Sequence, residues 1–130
     1  MRRHFLIRSL AVAAALCGSS LLAVAGEVPF DQAKFDAALA SGKPVILDVA
    51  ASWCPTCKQQ KPIVDALLKE NKLKSVTLFK ADFDTEDALK MKYGVTMQST
   101  FVVFKDGKEV GRSTGQTQKQ AIADLFDKAL

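Results

Sequence analysis

Apolar residues recur along this chain in two rhythms, one helical and one extended, after an opening run that follows neither. Asp31 is placed to cap a helix that carries Phe35, Ala38 and Leu39 at helical spacing and stops at Gly42. Val45 to Ala50 is a short apolar, β-branched run of the kind buried inside a sheet, with the acid Asp48 as an unusual member. From Cys54 to about Glu70 the spacing predicts a long helix, with Ile63, Ala66 and Leu67 on one face and a kink at Pro62. Ser75 to Ala81 alternates as a strand. Asp84 or Thr85 opens a short helix through Ala88, Leu89 and Met91 that ends at Gly94.

Thr100 to Phe104 reads as the next strand, and the Asp106-Gly107 turn joins it to a strand from Glu109 to Arg112 as an antiparallel hairpin. Thr117-Gln118-Lys119-Gln120 has the form of a capping box for a last helix with Ile122, Leu125, Phe126 and Ala129 on one face. Strands alternating with helices predict right-handed parallel crossovers, and the hairpin adds an antiparallel edge. The expected architecture is α/β, a mixed central sheet of about four strands with helices on both faces.

The opening run changes how charge is read. Arg2, Arg3 and Arg8 precede or adjoin an apolar stretch from Leu10 to Val24, and Ala23-Val24-Ala25 is a small-x-small cleavage pattern. Residues 1–25 are therefore expected to be a signal peptide cut before Gly26, leaving one domain at 26–130 with no stable membrane insertion. Arg2-Arg3-His4-Phe5-Leu6 is similar to a twin-arginine signal, so either that route or the general secretory one is open. The expected location is periplasmic or secreted. The three leader arginines supply most of the formal charge of +4, and the remaining 15 basic residues face 14 acidic ones. That balance gives no case for binding nucleic acid, which needs clustered basic surface.

Removal of the leader also takes His4, the single histidine, and Cys17, leaving Cys54 and Cys57 in an oxidising compartment. Two cysteines separated by Pro55-Thr56 at a helix start are placed for thiol chemistry. Unpaired N–H groups and the positive end of the helix dipole stabilise a thiolate at Cys54, the attacking species in disulfide exchange. Cys57, one turn on and facing inward, can reach the same sulfur. Other readings stand beside this one. A structural disulfide across so short a loop removes little chain entropy. Zinc needs four ligands, so no zinc site is expected, whereas a soft metal or a cluster shared by two chains is chemically reasonable for a thiolate pair. A module that merely holds partner proteins is a further alternative.

From about Asp31 to Leu130 the sequence resembles the thioredoxin superfamily. The resemblance rests on Trp53-Cys54-Pro55-Thr56-Cys57-Lys58, on Asp48 six residues before Cys54, on Pro62 five after Cys57, and on Lys80, Tyr93-Gly94-Val95, Phe104, Gly107 and Gly115 at the family's spacing. It implies a thioredoxin fold and a thiol-disulfide oxidoreductase whose redox group is a Cys54-Cys57 disulfide, with no other cofactor. Cys54 is then the nucleophile and Cys57 the resolving thiol. Asp48, desolvated in its strand, accepts the Cys57 proton. Lys80 accompanies Asp48, while Trp53, Pro55, Thr56, Ser99 and Thr100 form the surface that meets substrate. The implied partners are protein thiols and disulfides and an upstream thiol electron donor.

Two further likenesses bear on direction. Pro55-Thr56 resembles the dipeptide of thioredoxin-like proteins in cytochrome c maturation, and Gly42-Lys43-Pro44-Val45 resembles the approach to the active site in the C-terminal domain of the membrane disulfide reductase. Both imply reduction. One position departs from the family: Ser99-Thr100 stands where a cis-proline and Thr are usual. A cis bond before a non-proline residue costs about 2.5–4 kcal/mol, so Gln98-Ser99 is expected to be trans.

Overall fold

The computed structural model describes residues 26–130; the expected signal peptide, with His4 and Cys17, lies outside the described residues. The elements run β1 (Gly26–Pro29), α1 (Gln32–Ala40), β2 (Val45–Ala50), α2 (Pro55–Leu68), β3 (Thr77–Asp82), α3 (Asp87–Tyr93), β4 (Thr100–Lys105), β5 (Lys108–Thr114) and α4 (Lys119–Asp127), with a single 3₁₀ turn at Asn71–Leu73 before β3. The sheet has five strands in the order β1-β3-β2-β4-β5. β1 and β2 both pair in parallel with β3, while β4 runs antiparallel to β2 and β5 antiparallel to β4. The mixed sheet is as expected, with one strand more than the pattern gave. β1 is four residues long and ends in proline, so it carries almost no alternation of its own. It exists through its pairing with β3.

The strand period sorts side chains onto two faces. Ile46, Leu78, Phe101 and Val103 point to the face covered by Val64 and Leu67 of α2 and by Ile122 and Phe126 of α4. Val45, Leu47, Phe79 and Val102 point to the other, where Phe35 of α1 and Leu89 of α3 pack. Phe35 lies at the centre of that second core, with its ring 5.3 to 5.8 Å from those of Phe30, Phe79, Tyr93 and Phe104. Burying side chains of this size on both faces fixes the register of β2, and with it the height at which Asp48 and Cys54 emerge.

Several local expectations change. The buried face of α2 is Gln60, Val64 and Leu67, not Ile63, Ala66 and Leu67; Ile63 is half-buried and Ala66 exposed. β3 begins at Thr77, two residues late, because the 3₁₀ turn and its Val76 N–H bond to Leu73 take up the preceding chain. α3 begins at Asp87, with Glu86 as its cap residue, because Asp82 captures the chain first: its carboxylate accepts from Asp84 N–H, and its carbonyl from Thr85 and Glu86. The expected capping box at Thr117 does not form. Gln116 Oε1 accepts from the N–H groups of Thr117 and Gln118 instead, at 3.1 and 3.0 Å. The Asp-Gly turn is as expected, and Gly107, at φ 76°, lies so close to α1 that a Cβ there would sit 2.9 Å from the Leu39 carbonyl oxygen.

Candidate active site

β2 ends at Ala50, and four residues later the chain turns into α2 with Cys54 as the cap residue. Cys54 has the extended φ/ψ of a cap, and its Sγ accepts from Cys57 N–H at 3.1 Å, where a capping oxygen normally would. Pro55 follows at the first helical position, which has no N–H partner to lose. Sulfur is thus held over the open N–H groups of the helix by the covalent path of the chain.

That geometry separates the two thiols. Burial alone pushes the Cys54 thiol up, but donation from the Cys57 side chain and N–H, with smaller help from the neighbouring Ser99 and Gln98 side chains, holds it below the ordinary 9.0. Burial pushes Cys57 up to about 11, reinforced by donation to Cys54 and by charge on Cys54, while backbone hydrogen bonds from Ala51 and Ser99 oppose the rise. Of the two thiols Cys54 is therefore the one that ionises first, and Cys57 is the one that keeps its proton. Exposure corrects the expectation that Cys57 is the inward thiol: Cys54 has no accessible surface, and Cys57 is half-buried.

Cys57 opens instead on a cleft of about 350 Å³, whose walls include Ser52, Lys58, Lys61, Lys80 and Asp82. Asp48, in register with the cleft-lining Lys80, is buried in β2, with Oδ1 lacking any hydrogen-bond partner. Desolvation raises this carboxyl to about 7, with Lys80 opposing, Glu27 reinforcing and Lys61 opposing more weakly. Lys80 is in register with Asp48 across β2 and β3, but its ammonium group is directed to Glu27 at 4.0 Å.

The surface around the sulfur comes from two loops. Trp53 is half-exposed, its indole N–H donating to Asp84 at 2.8 Å. Among the described residues every peptide bond is trans, Gln98-Ser99 included, and Ser99 takes φ 53°. Its hydroxyl donates to the Gln98 carbonyl at 2.7 Å. Thr100 is buried and its hydroxyl is taken up by the loop, with Met97 O at 2.8 Å and Thr114 Oγ1 at 2.9 Å. Pro55 is exposed, Thr56 half-buried, and Pro62 lies exposed inside α2. No group of three or more His, Cys, Asp or Glu converges among the described residues.

Three residues escaped the sequence reading. Gln60 is buried under α2 and its amide donates to Gln116 O at 2.9 Å and Ser99 O at 3.4 Å. Asp84 pins Trp53, and Glu27 stands beside the cleft. Gln60 had a signal: it shares its helix face with Val64 and Leu67, so a polar residue occupied a core position. Asp84 and Glu27 had none, since each acts only through the pairing of distant segments.

The thioredoxin family model matches residues 27–128, the whole of the site and all of the sheet but Gly26. The chain belongs to the thioredoxin family. It is 39% identical over 97 residues to the thioredoxin of Chlamydia trachomatis serovar D, covering 75% of this chain and 92% of that one. It is 34% identical to the thioredoxin of Rickettsia felis, covering 71% and 87%. Among solved structures, that of Trxlp from Edwardsiella tarda superimposes with a TM-score of 0.76 at 38% identity, over 78% of this chain and 98% of that one. The five-stranded mixed sheet flanked by four helices is thus a thioredoxin fold.

Proposed function

We propose that this thioredoxin-family chain is an exported thiol-disulfide oxidoreductase that reduces disulfides of other exported proteins through Cys54 and Cys57. The observation that carries the reading is the unequal pair: a thiolate-favouring Cys54 at the helix cap beside a Cys57 held as a thiol to about 11. In the first step the Cys54 thiolate attacks one sulfur of a partner disulfide, a Cys54-partner S–S bond forms, and the other partner sulfur leaves as a thiolate. In the second step the Asp48 carboxylate takes the Cys57 proton, directly or through water, and the Cys57 thiolate attacks Cys54. The mixed disulfide breaks, the partner leaves with both electrons, and a Cys54-Cys57 disulfide is left for an upstream thiol donor to reduce.

Asp48 suits this role because a carboxyl that titrates near 7 can hold and release a proton in neutral solution. Half-exposed Trp53 and the Gln98-Ser99 loop, on two sides of the sulfur, suit docking of a partner chain. The export part of the reading rests on the leader at 1–25 and on the cysteine pair, and places the protein in the periplasm or outside the cell.

Cys54→Ser is expected to abolish dithiothreitol-driven reduction of a protein disulfide, and Cys57→Ser to accumulate a mixed disulfide visible on non-reducing gels. Turnover in Cys54→Ser would sink the mechanism. Direction is tested separately, by equilibrating the pair against glutathione. Redox proteins of this type span roughly −270 to −120 mV, and a reductant belongs near the lower value. A potential near the upper value would leave the exchange chemistry and reverse its direction.

A further inference from the structure

The strands β1, β3 and β2 lie side by side, and on the face beneath α2 β1 presents Glu27, β2 presents Asp48, and β3 presents Lys80 and, at its end on the cleft wall, Asp82. Lys80 is directly in register with Asp48, whereas Glu27 is in register with Leu78, one diagonal step from Lys80. The two carboxylates therefore flank one ammonium group, which lies 4.0 Å from Glu27. Lys61, one turn beyond Cys57 on α2, is drawn the same way: its ammonium lies 3.9 Å from Glu27 and 3.1 Å from Asp65. Asp48 Oδ1 meanwhile has no hydrogen-bond partner. Both lysines that act on the buried carboxyl thus have Glu27 at the limit of ion-pair distance, with Asp65 the nearer partner of Lys61.

We propose that Glu27 is a positioning residue for the Cys57 step, holding the Lys61 and Lys80 ammonium groups at the mouth of the cleft so that Asp48 stays free to take up and return a proton. This rests on the redox reading above and adds to it a group on an edge strand. A direct Lys80-Asp48 ion pair would fix the carboxylate in its charged form and weaken it as a base. Glu27 opposes that in two ways of the same sign: it competes for both lysines, and its own charge disfavours a second negative charge on Asp48. The charged groups acting on Asp48 are Lys80 from β3, Glu27 from β1 and Lys61 from α2; β4 sets apolar Phe101 in register with it, and Ile122 and Phe126 of α4 pack on that face. The Glu27, Lys61 and Lys80 side chains are 30%, 53% and 38% exposed, so the pairs add little to stability and the effect belongs in proton affinity.

The test is a carbon-13 NMR titration of the Asp side-chain carboxyls in the reduced protein, with Asp48→Asn to assign the signal. In Glu27→Gln the Asp48 midpoint is expected to fall by roughly 0.2–0.7 of a pH unit, and further in Glu27→Lys. The pH at which the Cys54-linked mixed disulfide resolves should fall with it, while the denaturation midpoint stays close to that of the unchanged protein. An Asp48 midpoint that is unmoved or raised in both variants overturns the proposal, as does a fall that the resolution profile fails to follow. If the unchanged protein reduces no disulfide, the functional reading fails, and the titration still reads the effect of Glu27 on Asp48.

Discussion

Cys54 is chemically primed and sterically closed: its thiol is held below the ordinary range, yet it has no accessible surface. Ser99 and Gln98 belong to the loop beside the sulfur, and their side chains favour the thiolate, the Ser99 hydroxyl by turning its one proton from the Gln98 carbonyl to the sulfur when the thiol ionises. At φ 53° Ser99 occupies the left-handed region, which glycine enters freely and proline cannot. Ser99→Gly therefore keeps the backbone of the loop and removes the CH2OH side chain. In a pH series of iodoacetamide alkylation its Cys54 midpoint is expected to move up, lowering the ionised fraction below the midpoint by roughly two- to tenfold, while the plateau rate at high pH stays level or rises. An unchanged midpoint would show that the hydroxyl does nothing for the sulfur. Ser99→Pro, by contrast, cannot hold this φ, so it must rebuild the loop and cost roughly 1–3 kcal/mol or more in doing so.

Elements whose identity lies in their own sequence were legible, and those made by pairing were not. β2, β4 and the Asp106-Gly107 hairpin announce themselves through β-branched runs and a turn that needs positive φ, and α2 through its length and its cysteine cap. β1 was missed because four residues ending in proline show no period, and the start of α3 was placed early because Asp82 wins the competition for the following N–H groups. At the site, Cys54, Cys57 and Asp48 could be named from spacing, but not the link between α2 and the Ser99 loop. Gln60 makes that link by donating to Ser99 O and Gln116 O, and Gly115 N–H meets the same Ser99 oxygen at 2.9 Å. Gln60→Leu suits the apolar face but strips both carbonyls of the amide donor, and is expected to cost about 1–3 kcal/mol in urea unfolding. Hydrogen exchange at Gly115 should quicken by more than that global loss explains. Exchange at Gly115 that merely tracks global stability would mean that Gln60 does not specifically hold the loop.

At the scale of the whole molecule, the site makes the fold's stability depend on pH. Asp48 carries this dependence, because the burial that suits it for proton transfer opposes its ionisation in the native state and not in the unfolded one. Below about pH 4 the carboxyl is protonated in both states and carries no penalty. Between about 4 and 7 the unfolded chain releases the proton that the native chain still holds, so stability falls as pH rises. Above about 7 the native state carries the full cost of a buried carboxylate. The distance from 3.8 to about 7 corresponds to roughly 4 kcal/mol. Asp48→Asn removes the ionisation and leaves an amide of the same shape, which adds an offset that does not vary with pH. Urea unfolding of both reduced proteins at about pH 4, 6 and 8 should therefore give a stability difference that grows in favour of Asp48→Asn by up to about 4 kcal/mol across the series. The Cys54 and Cys57 contributions are present in both proteins, so their uncoupled part cancels in that difference. A difference that stays constant across the series would mean that Asp48 ionises as readily in the fold as outside it, and would remove the physical basis for its taking the Cys57 proton.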